Sequence, residues 1–204
     1  MRAGRHLVLF ARMPRLGVVK RRLAAGIGDL AALAFYRLTL TRVLRRLGRG
    51  PWRCWIAVTP PSARHLRWPR PWQAFAQSSG DLGRRMARAV AERPVGPVVI
   101  VGSDIPAIVP AHIDAAFRAL GRADVVFGAA RDGGYWLIGC RRRPALPNLF
   151  DRVRWSSAHA LADTLRNVGR RDVIVLGDQL EDVDDMHSYE RWRRAERRHS
   201  KSGT

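Results

Sequence analysis

Val98-Val99-Ile100-Val101-Gly102-Ser103-Asp104-Ile105-Pro106 is the stretch on which the fold turns. Four consecutive branched aliphatic residues suit a strand buried on both faces, since a half-exposed strand would alternate apolar and polar positions. The run stops at Gly-Ser-Asp-Ile-Pro, which delivers one carboxylate to the point where the strand ends. In open α/β sheets, ligands bind in the crevice beyond the carboxyl ends of the strands. Asp104 is therefore either a ligand for substrate or metal, or the cap of a turn, where Asp is common. On this stretch alone both readings stay open.

Working outward, the chain alternates strand-like and helix-like segments. Leu7–Ala11 reads as a buried first strand, followed over Arg12 to Leu23 by a Pro- and Gly-marked loop and a short helical stretch. Leu30, Leu33, Phe35 or Tyr36, Leu40, Leu44 and Leu47 recur at helical spacing between Asp29, a plausible N-cap, and Gly48, a plausible stop. Strands follow at Arg53–Thr59 and, after an irregular stretch over 62–71, at Trp72–Gln77. A helix is expected over Leu82–Glu92, and another from Pro110 to Gly121. Asp124–Ala129 and Tyr135–Cys140 are too close together to enclose a helix, so a hairpin interrupts the alternation there. The helix Ser157–Val168, the strand Asp172–Leu176 and a terminal helix Met186–Arg198 complete the series. This pattern predicts a three-layer α/β/α sandwich, Rossmann-like, with a mainly parallel sheet.

At 204 residues, with 47% hydrophobic and 26% charged residues, the chain suits one globular domain. We expect that domain over residues 1–190, with a basic, flexible tail over 191–204, where six positive side chains meet one Glu196. No apolar run approaches the ~20 residues of a membrane span, and Leu7–Ala11 is too short for a signal-peptide core, so the expected location is the cytoplasm. Cys54 and Cys140 share no metal-type spacing and are expected to be buried thiols. The net charge of +20 invites a nucleic-acid partner. Against that, arginine is spread through every segment instead of forming one stripe, and a basic field also attracts small phosphorylated molecules.

Several constellations could carry chemistry. Pro14-x-x-Gly17-x-x-Lys20-x-Arg22 follows the first strand, where a glycine loop lets backbone N–H groups approach a phosphate that Lys20 and Arg22 would neutralise. It matches neither the P-loop nor the dinucleotide glycine pattern, and a plain turn before a basic helix face remains the alternative. Asp182 and Asp184 in Leu180-Glu181-Asp182-Val183-Asp184-Asp185 would point the same way in an extended segment and could join Asp104 around Mg²⁺ or Mn²⁺. The alternative is an acidic cap for the terminal helix. Asp132-Gly133-Gly134-Tyr135 permits a tight turn with close backbone approach of a ligand, or a plain hairpin turn. Gly80-Asp81-Leu82-Gly83-Arg84-Arg85-Met86 opens a helix that either receives an anion or ribose or is simply Asp-capped. Leu149-Phe150 and Trp155-Ser156 place aromatics where a base or sugar could stack, or where a satellite cluster could form.

Taken in order, these motifs resemble one family. They run from Phe10-Ala11-Arg12-x-Pro14-x-x-Gly17-x-x-Lys20-x-Arg22-Leu23 through Gly80-Asp81-Leu82-Gly83-x-Arg85-Met86, Gly102-Ser103-Asp104-Ile105-Pro106 and Asp132-Gly133-Gly134-Tyr135 to Asp182-Val183-Asp184. Together they resemble the glycosyltransferase-A-like proteins known as rSAM/selenodomain-associated transferase 1, relatives of 2-phospho-L-lactate and molybdenum-cofactor guanylyltransferases. The resemblance spans Leu7 to Tyr189. It implies a nucleotide-diphospho-sugar transferase fold, a nucleotide or nucleotide-sugar substrate, a small-molecule acceptor and a divalent metal. By position it implies Asp132 and Lys20 as catalytic groups and Asp104 and Asp184 as metal ligands. The nucleotide would meet Arg12, Gly17, Lys20, Arg22, Gly80, Asp81, Arg85 and Ser103, and the acceptor would meet Asp132, Gly133, Gly134, Tyr135 and Trp155. The chain departs from the family at Arg21 and Asp185, where Thr is usual, and at Ala129, where Pro is usual. Two activities share this machinery: transfer of a sugar from a nucleotide donor, and nucleotidyl transfer to a phosphorylated acceptor with release of pyrophosphate.

Overall fold

A computed structural model describes residues 4–142 and 148–202. Seven strands form one sheet: β1 (His6–Arg12), β2 (Arg53–Thr59), β3 (Gln73–Ala76), β4 (Val98–Gly102), β5 (Val125–Ala129), β6 (Tyr135–Cys140) and β7 (Val173–Leu176). Six helices accompany them: α1 (Arg21–Ile27), α2 (Asp29–Leu47), α3 (Leu82–Ala91), α4 (Pro110–Ala119), α5 (Ala160–Val168) and α6 (Met186–Ser202). The strand order is β3-β2-β1-β4-β6-β5-β7. Only β6 runs antiparallel, pairing Ile138 with Ile100 of β4 and with Phe127 of β5.

The branched run sits in the middle of this order. Val98 to Val101 lie in β4, with Val8 of β1 opposite Ile100 on one side and β6 on the other, so both edges and both faces are covered. The alternation of side chains then sorts the core into two layers. Leu7, Leu9, Val99 and Val101 face one layer, closed by Tyr36, Leu40 and Leu44 of α2 and by Ile113 and Phe117 of α4. Val8, Val98, Ile100 and Phe127 face the other, closed by Met86 and Val90 of α3 and Val168 of α5. This is the expected three-layer sandwich with a mainly parallel sheet. Cys54 and Cys140 are both buried and free.

Several local expectations shift. Gly28, not Asp29, caps α2; its φ of +85° breaks α1 from α2, and Asp29 becomes the first helical residue, favourable at the positive end of the dipole. α5 starts at Ala160 instead of Ser157, because the Ser157 hydroxyl accepts the His159 N–H and forms a turn ahead of the helix. A short 3₁₀ helix, Pro61–His65, lies in the irregular stretch. α6 continues to Ser202, four residues past the expected end at Arg198. In the expected tail, Trp192 packs on Phe35 with ring centroids 4.9 Å apart, and Arg191 pairs with Glu181. Met1 to Ala3 and the tail's last two residues lie outside the described residues. No helix among the described residues is long and apolar enough to cross a membrane.

Candidate active site

The candidate clusters gather at the carboxyl ends of β1, β4 and β5 and at the amino end of β6, which runs the other way. β4 delivers Asp104, and a backbone bond from the Val183 N–H to the Asp104 carbonyl (3.1 Å) draws the 182–184 segment alongside. Val183 is buried among Leu23, Ala32 and Phe35, which turns its neighbours Asp182 and Asp184 the other way. Carboxylate oxygens of Asp104, Asp182 and Asp184 all lie within 4.8 Å of one another. The resemblance picks out Asp104 and Asp184; the geometry adds Asp182 as a third. Asp185 is excluded from this group by its own bonds. Its Oδ1 accepts the Ser188 N–H at 3.0 Å, capping α6, and its Oδ2 accepts from Arg22 at 2.7 Å.

Lys20 reaches into the carboxylates from the loop after β1. It ends that loop in the left-handed conformation (φ 52°, ψ 43°), and its carbonyl accepts the Ala24 N–H to begin α1. Its Nζ donates to Asp104 Oδ2 at 2.7 Å and to Asp184 Oδ1, with 4% of the side chain exposed. Burial alone would lower the Lys20 pKa, but the two carboxylates outweigh it and raise it, so the ammonium stays charged. The Asp182 carboxyl is raised as well, which here favours its neutral form: burial, then the neighbouring Asp104 and Asp184 charges, push it up to about 7. Crowded carboxylates with all-oxygen donor atoms fit a hard divalent cation such as Mg²⁺ or Mn²⁺.

Two clefts open on either side of this centre. The first, about 540 Å³, runs past Arg12, Lys20, Arg21, Arg85 and Gln77. The second, about 500 Å³, runs past Asp132, Asp182, Tyr135, Trp136, Trp155 and Ser157. Arg22, Leu82, Gly102, Asp104 and Asp184 line both. Ser103 also lines the first cleft, but its Oγ is buried 3.1 Å from the Tyr36 hydroxyl. That hydroxyl accepts the Arg12 N–H and donates to the Arg12 carbonyl, both at 3.0 Å. Tyr36 thereby pins the end of β1 to the end of β4. Sequence periodicity places it in the apolar stripe of α2 but does not show its polar role.

Other expected residues build the frame. Gly17, Gly80, Asp81 and Gly133 line neither cleft. Asp81 caps α3 by accepting the Arg84 N–H at 2.8 Å, and the Gly80 carbonyl accepts from Arg85 Nε at 2.8 Å, which aims Arg85 at the first cleft. Gly133 (φ +83°) lies so close to the Ala158 carbonyl that a Cβ would come within 2.2 Å of its oxygen, so only glycine fits. Asp132 Oδ1 accepts the Gly134 N–H at 3.0 Å and remains exposed on the second cleft. Trp155 packs on Phe150 and Tyr135, a satellite cluster that also walls this cleft.

A sheet of this order with a carboxylate centre between two clefts defines the nucleotide-diphospho-sugar transferase class of fold. The chain belongs to a bacterial family, DUF2064, described as "Uncharacterized protein conserved in bacteria", whose model matches residues 42–157. A crystal structure of a "putative nucleotide-diphospho-sugar transferase" from Desulfovibrio desulfuricans G20 is 31% identical, covering 89% of this chain and 82% of that one, with a TM-score of 0.80. Two more distant structures share the fold. One is CMP:2-keto-3-deoxy-manno-octonic acid synthetase complexed with CTP (13% identity, 97% and 100% coverage, TM-score 0.58). The other is Rv0371C of Mycobacterium tuberculosis H37Rv in complex with manganese (17% identity, 93% and 97% coverage, TM-score 0.52). No curated protein matches the chain.

Proposed function

We propose that this protein is a cytoplasmic, metal-dependent transferase that moves a sugar from a nucleotide donor to a small acceptor. The observation that carries this reading is the pair of clefts meeting at Asp104, Asp184 and Lys20. The cationic first cleft suits a nucleoside diphosphate, with Arg12, Arg21, Arg22 and Arg85 around its phosphates. Asp104 and Asp184, with Asp182, would hold Mg²⁺ or Mn²⁺, and the bound ion would neutralise charge growing on the departing diphosphate. Lys20 adds a buried positive charge at the same point. In the transfer as a whole, an acceptor hydroxyl oxygen bonds to the anomeric carbon. The bond from that carbon to the phosphate oxygen breaks, and the nucleoside diphosphate leaves with the electron pair. Asp132, exposed on the second cleft, takes the hydroxyl proton. The resemblance of the motif series to rSAM/selenodomain-associated transferase 1 supports the same reading.

A thermal-shift series with nucleotides and sugar nucleotides, with and without Mg²⁺ or Mn²⁺, tests it, because a ligand that binds only the folded state raises apparent stability. At least one sugar nucleotide should raise the Tm, and more so with metal. No shift from any of them overturns the nucleotide reading. The structural likeness to the CTP-bound synthetase favours a second reading, nucleotidyl transfer onto a phosphorylated acceptor. Release of pyrophosphate from GTP, CTP or UTP with phosphoacids, and no sugar nucleotide present, would select it.

A further inference from the structure

The two clefts differ in charge in a way that bears on the acceptor. Residues that line only the first include four cations: Arg12, Lys20, Arg21 and Arg85. The charged residues that line only the second are Asp132 and Asp182. The shared rim adds Asp104, Asp184 and Arg22, and the Arg22 guanidinium is already paired with Asp185 at 2.7 Å. In a chain of 37 Lys and Arg against 17 Asp and Glu, the second cleft thus gathers four carboxylates and one committed arginine. Chance placement on so basic a surface would give the opposite sign.

The remaining lining is aromatic and hydroxylic. Tyr135 and Trp155 stand edge to face with ring centroids 6.4 Å apart, and Trp136 also lines the cleft. The Tyr135 hydroxyl is buried beside Thr164, and Ser156 and Ser157 line the mouth. Aromatic faces beside carboxylates and hydroxyls suit the apolar C–H faces and the O–H groups of a carbohydrate or polyol. An acceptor carrying its own phosphate or carboxylate would enter against four carboxylates; Lys20 and a divalent ion together would offset three of their charges, and the lining of this cleft offers the acceptor no uncommitted cation.

We infer that the second cleft takes an uncharged, hydroxylated acceptor of the sugar or polyol class, recognised by Tyr135, Trp155 and Asp132, and rejects phosphorylated and carboxylated acceptors. The inference rests on the reading of the first cleft as the nucleotide-diphosphate site. It also separates the two activities, since nucleotidyl transfer requires an anionic acceptor and glycosyl transfer does not.

The test uses the full chain saturated with a nucleoside diphosphate and Mg²⁺, titrated with matched pairs: glycerol and glycerol 3-phosphate, glucose and glucose 6-phosphate, methyl glucoside and gluconate. Binding is read by thermal shift. At least one neutral member should bind about tenfold or more tightly than its anionic partner. Trp155→Ala should remove that binding while leaving the nucleoside-diphosphate shift unchanged, and Asp132→Asn should narrow the gap between the paired ligands. Anionic members binding as well as neutral ones overturns the inference, and so does a panel in which no neutral member binds although the diphosphate does. Absence of any nucleoside-diphosphate shift is a different result and overturns the underlying nucleotide reading.

Discussion

The Tyr36 hydroxyl joins three groups: the Arg12 N–H, the Arg12 carbonyl and the Ser103 hydroxyl. Its burial means that removing it strands polar groups instead of returning them to water. Tyr36→Phe should therefore cost about 1–3 kcal/mol, read as a lower urea midpoint at unchanged slope. Nucleotide affinity should fall with it, because both strand ends line the first cleft. His6 offers a second test at this scale. Trp55 Nε1–H donates to His6 Nδ1 at 3.1 Å, so the ring proton sits on Nε2, which is buried against the Val95 backbone. Burial first, then Arg53, Arg142 and Arg93, lower its pKa below the ordinary 6.5. The fold thus keeps His6 neutral while the unfolded chain takes up a proton. The contribution to stability is complete above that ordinary value and is lost as pH falls below it. Stability should decline as pH falls below the ordinary 6.5, and His6→Gln, whose carbonyl can still accept from Trp55, should flatten that slope.

Among the elements, α3 shows how packing overrides propensity. At Gly83 a Cβ would meet the Phe150 Cβ and the Trp155 ring at 2.8 Å and the Phe150 carbonyl at 3.0 Å. Gly83→Ala gains about 1 kcal/mol of helix propensity but forces the 150–155 loop outward at about 1–3 kcal/mol. The net result should be a lower Tm together with weaker acceptor binding, since Trp155 moves with the loop. Elements of this kind were legible in the sequence where one local pattern decides them. β4 follows from its branched run, α2 from its apolar period, and the β5–β6 hairpin from its short connection. Their neighbours were not legible: nothing in Tyr135–Cys140 says that β6 inserts between β4 and β5, because strand order depends on long-range pairing. The site divides the same way. Lys20 and Asp104 each stand out locally, yet they are 84 residues apart, and their ion pair emerges only when β1 and β4 lie side by side. Asp185 stands out as strongly as its neighbours, and only its bonds to Ser188 and Arg22 mark it as a cap.

Across the whole molecule, a +20 chain divides its charge into a cationic cleft and an anionic cleft that meet at three carboxylates. Phosphate binding as proposed for the first cleft would draw on clustered arginines, so nucleotide affinity should weaken as salt rises and the Debye length shortens. Binding of an uncharged acceptor in the second should be insensitive to salt. Both proposed cleft functions depend on Asp104, Asp182 and Asp184 holding a divalent ion beside Lys20. The most direct measurement is a Mn²⁺ titration followed by electron paramagnetic resonance, with a nucleoside diphosphate present, on the native chain and on Asp104→Ala. One Mn²⁺ should bind per chain, tightened by the nucleotide and weakened about tenfold or more by the substitution. Equal Mn²⁺ and nucleotide binding by the two proteins would contradict it.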